Sequence, residues 1–101
     1  MNMPLRDWPM DAIIALCRRY RVRELSLFGS ALRQDFGDRS DIDLLVECDP
    51  EAQVGFIALA RMQRELATLL GRKVDLVPKA GLKPLIRQEV LASAKVLYAA
   101  R

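Results

Sequence analysis

Three aspartates stand where a strand would ordinarily carry apolar side chains. Asp41 and Asp43 flank Ile42 in the run DIDLLVE, and Asp75 interrupts the run KVDLV at residues 73–77. Strand side chains alternate between faces, so Asp41 and Asp43 point to the same side, about 7 Å apart by strand rise. Two carboxylates so placed repel each other and are costly to bury without a compensating cation. Oxygen donors of this kind suit Mg²⁺, which takes one or two carboxylates together with substrate phosphates. A solvated strand edge next to Ser40 is the plainer reading of Asp41 alone. It does not fit Asp43 and Asp75, which two separate apolar runs carry at core-like positions.

The segment that leads to this pair is equally pointed. The apolar run Leu25-Ser26-Leu27-Phe28 stops at Gly29-Ser30, a sharp turn for which glycine is suited. Arg33 follows, then a polar stretch through Ser40 into Asp41-Ile42-Asp43.

On these residues the chain resembles the nucleotidyltransferase superfamily of the DNA polymerase β type. Within it the resemblance is to the minimal nucleotidyltransferases, antitoxins found beside HEPN-domain toxins. The family pattern is a Gly-Ser pair, an Arg, an Asp-x-Asp on the next strand and a third Asp on a later strand. Gly29-Ser30, Arg33, Asp41-Ile42-Asp43 and Asp75 match it here. Leu32 and Gln34 depart from it, standing where many relatives have a small residue and a glycine. The resemblance covers nearly the whole chain and implies one minimal nucleotidyltransferase domain over residues 1–101.

The elements that must position these residues follow from periodicity. Apolar Ile13, Ile14, Leu16, Cys17 and Tyr20 recur at helical spacing from Asp11 to about Tyr20. Trp8 either covers one end of that helix or anchors a partner. Strands are expected at about Glu24–Phe28, Asp41–Glu47 and Lys73–Val77, with a short helix through Ala31–Arg33. Asp49-Pro50-Glu51 reads as a helix start, regular by Val54, and Leu59, Met62, Leu66 and Leu69 make a core stripe ending at Gly71. Residues 85–91 read as a further helix, while residues 95–98 fit either its continuation or an edge strand. The order predicts an α+β fold, a small mixed sheet with helices packed on one face and the acidic residues on the other.

Composition narrows the function classes. The 101 residues carry a net charge of +3 and 51% hydrophobic residues, a high apolar share for a body this small. Some apolar surface is therefore expected to remain outside and to meet a protein partner. Arg18, Arg19, Arg21 and Arg23 form the clearest basic excess, which reads first as solvated cations near a helix C-terminus. The lack of histidine, with only Cys17 and Cys48 far apart, argues against a zinc site. No signal-peptide h-region or run of transmembrane length is present, so a soluble, cytoplasmic protein is expected.

The resemblance implies a Mg²⁺-dependent enzyme that moves AMP from ATP to a hydroxyl, a tyrosine of a HEPN toxin, with Asp41, Asp43 and Asp75 as metal ligands. Two metal ions ~3.5–4 Å apart suit such chemistry, and Asp75 is available to take the acceptor proton. Gly29, Ser30 and the adjoining backbone N–H groups suit the triphosphate, and Arg33 a phosphate or the acceptor. The rival is an antitoxin that works by occlusion without catalysis. A small-molecule acceptor and a nucleic-acid-binding module are weaker readings.

Overall fold

The computed structural model describes residues 8–29 and 41–100. Its elements in chain order are α1 (Met10–Arg19), β1 (Val22–Phe28), β2 (Ile42–Cys48), α2 (Phe56–Leu70), β3 (Val74–Pro78), α3 (Pro84–Ser93) and β4 (Lys95–Ala99). The four strands form one sheet in the order β3-β2-β1-β4. β1 runs antiparallel to both β2 and β4, whereas β2 and β3 are parallel, so the sheet is mixed.

One face of the sheet carries the main core. Leu25 and Leu27 of β1, Ile42, Leu44 and Val46 of β2, and Val74 and Leu76 of β3 are all buried there. α1 packs against β1 and α2 against β3, and the two helices also touch each other. Ile13, Leu16 and Cys17 supply the α1 side of the contact, and Met62, Leu66 and Leu70 the α2 side, each set at helical spacing. Trp8 joins this core at 5% exposure, so it covers the base of α1 and is not an anchor for a partner. Gln63 reaches from α2 to the outer edge of β3, where its Oε1 accepts from the Leu76 N–H at 2.9 Å. That contact satisfies a donor which an edge strand would otherwise present to another chain.

The start of α2 differs from the pattern reading, and the open alternative at residues 95–98 is decided, each for a local reason. Asp49 does cap, its Oδ1 accepting from Glu51 N–H at 3.0 Å, but the turn it starts is a 3₁₀ helix over Pro50–Ala52. Gln53 then takes a left-handed φ of 50°, which ends that turn, and α2 begins afresh at Phe56 rather than by Val54. Residues 95–98 are strand: Ala94 leaves α3 with an extended ψ of 141°, and β4 pairs with β1. Gly71 closes α2 in the left-handed conformation, φ 63°, as a glycine at that place allows.

The basic excess is distributed as ion pairs and exposed cations. Arg19 pairs with Glu65, whose other oxygen accepts from the Tyr20 hydroxyl, and Arg21 Nη2 lies 3.1 Å from Asp49 Oδ2. Arg18 and Arg19 occupy the last turn of α1, where the helix dipole favours them. No described helix is long and apolar enough to cross a membrane.

Both cysteines are free. Burial holds the Cys17 thiol protonated, its pKa pushed up to about 12 chiefly by desolvation, while Cys48 is only partly buried. Desolvation raises the Cys48 thiol as well, but its partial exposure leaves it accessible, so native protein at pH 8 is expected to displace one equivalent of chromogenic thiolate from a disulfide reagent, through Cys48. The second equivalent should appear only on unfolding. Equal labelling rates in the native state would contradict the packing of α1 against the sheet.

Candidate active site

The acidic residues lie on the sheet face opposite α1 and α2. Cross-strand register assembles that face in rows, because directly paired residues project to the same side. Phe28 pairs with Asp43, and Asp43 pairs with Asp75, so one row spans three strands. The next row is Ser26, Leu45 and Val77. Beyond it Glu24 pairs with Glu47, and Lys79 Nζ lies 3.9 Å from the first and 4.0 Å from the second. The interior rows are thus uncharged or charge-compensated, and the row at the end of β1 holds two carboxylates in register.

Alternation explains how Asp75 reaches this face. Val74 and Leu76 on either side of it are buried in the core, while Asp75 itself is exposed. Asp43 is likewise flanked by buried Ile42 and Leu44. The Ile42 N–H donates to Lys73 O at 2.9 Å, which pins the start of β2 to the start of β3 and so fixes the two aspartates side by side.

Asp41 behaves differently. It precedes β2, and its Oδ2 stands 3.9 Å from Lys73 Nζ. Among the described residues the acidic groups do not close into a set of three around a common point. Three carboxylates repel, and the ammonium of Lys73 offers Asp41 an opposite charge at the surface instead. The structure brings Asp43 and Asp75 together and places Asp41 at the rim. Lys73 was not singled out from sequence. Its parity was the available signal, since residues 73 and 75 run beside 41 and 43 once the strands are parallel.

Gly29 is the turn that makes room for Asp43. Its φ is 74°, a region that side chains disfavour, and a Cβ there would overlap Asp43 Oδ2 and lie 3.2 Å from Asp43 Cγ. The glycine is therefore required twice, by conformation and by the carboxylate seated against it. Ser30 and Arg33 lie outside the described residues, as does the short helix expected at Ala31–Arg33.

Two acidic oxygens in register, with the backbone of a glycine turn packed on one of them, form a donor set that fits a hard divalent cation. A mixed sheet with two helices behind it and such an acidic row in front defines a nucleotidyltransferase domain.

The family model described as the nucleotidyltransferase domain matches residues 10–97, and the chain belongs to that family. It is 40% identical over 76 residues to the protein adenylyltransferase MntA of Thermococcus cleftensis, 75% of each chain being covered. A solved minimal nucleotidyltransferase superposes with a TM-score of 0.73 at 35% identity, covering 84% of this chain and 85% of that one. A complex of tri-AMPylated Shewanella oneidensis HEPN toxin with an MNT antitoxin gives a TM-score of 0.65 at 29% identity, covering 90% of this chain and 70% of the matched one.

Proposed function

We propose that the protein transfers AMP from ATP to a hydroxyl group, a tyrosine, of a partner HEPN toxin, and acts as the antitoxin of that pair. The observation that carries this reading is the in-register pairing of Asp43 with Asp75 beside Gly29, in a chain of this family. The adenylyltransferase name of one relative and the AMPylated partner of another support the choice of AMP and of a protein acceptor.

Asp43 and Asp75 would hold Mg²⁺, with Asp41 recruited from Lys73 at the rim. When bound, the cation neutralises charge on the triphosphate. Gly29 and Ser30 would receive the phosphates, and Arg33 a phosphate or the acceptor. The acceptor oxygen forms a bond to the α-phosphorus, the bond to pyrophosphate breaks, and the Asp75 carboxylate takes the hydroxyl proton. All of this lies within one minimal domain.

The surface supports a protein partner. Phe56 and Ile57 at the start of α2 and Leu85 at the start of α3 are 88%, 80% and 94% exposed. Large apolar side chains in that state are expected to be covered by another chain. Catalysis and occlusion both use such an interface, and a covalent readout separates them. Incubation with ATP, Mg²⁺ and the cognate toxin should add AMP-sized mass to the toxin, retained under denaturing conditions. Protection of cells by a toxin of unchanged mass would replace this reading with occlusion.

A further inference from the structure

The helix dipole accounts for the arginines in the last turn of α1 but not for those that follow it. Arg18 of α1, Arg21 of the turn and Arg23 of β1 line one open cleft of about 420 Å³, together with Asp49 and Tyr98. The cleft lies at the start of β1. The acidic row lies at the other end of that seven-residue strand, about 20 Å away by strand rise.

Arg21 holds this place against its own backbone preference. It follows the C-cap Tyr20 and takes a left-handed φ of 56°, its N–H donating to Arg18 O at 3.1 Å. Helices most readily end with glycine at that position, and α2 of the same chain does so with Gly71 at φ 63°. An arginine there carries a conformational cost that glycine avoids, and such a residue points to a task for its side chain. The exposed ion pair with Asp49 is too weak to be that task. It does orient the guanidinium, because the other Asp49 oxygen is itself held by the Glu51 N–H. Arg18 and Arg23 are exposed, and neither has an ion-pair partner among the described residues.

We propose that this cleft is a second anion site, binding an oligophosphate through Arg18, Arg21 and Arg23. The ligand is an inorganic di- or triphosphate or the phosphate chain of a free nucleotide. Guanidinium groups stay charged across the physiological pH range and take phosphate oxygens two at a time. Drawn from a helix, a turn and a strand onto one cleft, they suit a compact anion of several charges. A nucleic-acid strand calls instead for cations strung along a groove. The volume is that of a small-molecule site.

Metal dependence separates this cleft from the acidic row. The arginines supply positive charge themselves, whereas Asp43 and Asp75 repel a phosphate chain unless a cation intervenes. Calorimetry on the full chain, at low salt with EDTA, should show tripolyphosphate and ATP binding equally to the parent and to Asp43→Asn. The tighter of the two ligands identifies the source of the phosphate. Arg18→Gln and Arg23→Gln should each weaken this binding about tenfold with thermal unfolding unchanged, since both side chains are exposed. Arg21→Gly should weaken it as much yet unfold at no lower temperature, because glycine relieves the turn. Arg64→Gln, on the exposed side of α2, is the control and should change nothing. Unchanged affinity in the three cleft variants, binding that appears only with Mg²⁺, or an equal loss in Arg64→Gln overturns the proposal. So does a single-stranded RNA oligonucleotide that binds through these arginines where neither tripolyphosphate nor ATP does, which assigns the cleft to a nucleic-acid strand.

Discussion

Asp43→Asn is expected to lower nucleotidyl transfer by on the order of 10²–10³-fold while leaving the fold intact. The carboxylate faces Asp75 across the parallel pair and supplies one of the two negative charges that suit a divalent cation. An amide of the same size leaves the core packing of Ile42 and Leu44 on the other face untouched, and it removes repulsion with Asp75. Thermal stability should therefore be equal to the parent or slightly higher, as an active-site like-charge pair is relieved. Single-turnover transfer and thermal unfolding measured on the same preparation check both halves. Unfolding of the variant would mean that Asp43 serves the sheet rather than the chemistry.

The second large effect is expected at Gly29. Gly29→Ala forces a Cβ into a left-handed position, which costs about 1–2 kcal/mol in the folded state. The same Cβ overlaps Asp43 Oδ2, so the carboxylate must move. Displacement of a positioned group by about 1 Å is worth roughly 10²-fold in rate. The variant should remain folded, lose about that factor in transfer, and need more divalent metal to reach its maximum rate. A serine scan gives the control: Gly81→Ser, at a glycine with nothing within 4 Å of its Cβ position, should change neither property. Equal activity of Gly29→Ala and the parent would show that Asp43 is not held by this turn.

The acidic strands were legible in the sequence because alternation is a local signal. Each of Asp43 and Asp75 is bracketed by residues that the core claims, so its direction followed without knowledge of its neighbours. Gly71 was legible for the same reason, since a helix stop depends on one backbone conformation. What local pattern does not contain is pairing. The run KVLYA suits either a helix or a strand, and the antiparallel contact with β1 makes it a strand. The late start of α2 depends on Gln53 adopting a left-handed conformation after the Asp49 cap. The Lys73–Asp41 contact likewise depends on the parallel register of β2 and β3, without which the shared parity of residues 73 and 75 with 41 and 43 points to no pairing. The site was readable as residue types; its arrangement, with Asp43 and Asp75 together and Asp41 at the rim, required the sheet.

The most direct test of the account is where the metal binds. Crystals grown with a non-hydrolysable ATP analogue and Mn²⁺ in place of Mg²⁺ would give an anomalous difference peak for the ion. That peak is expected within coordination distance of the Asp43 and Asp75 carboxylates, with the triphosphate beside Gly29. An ordered nucleotide whose Mn²⁺ contacts neither aspartate would contradict it.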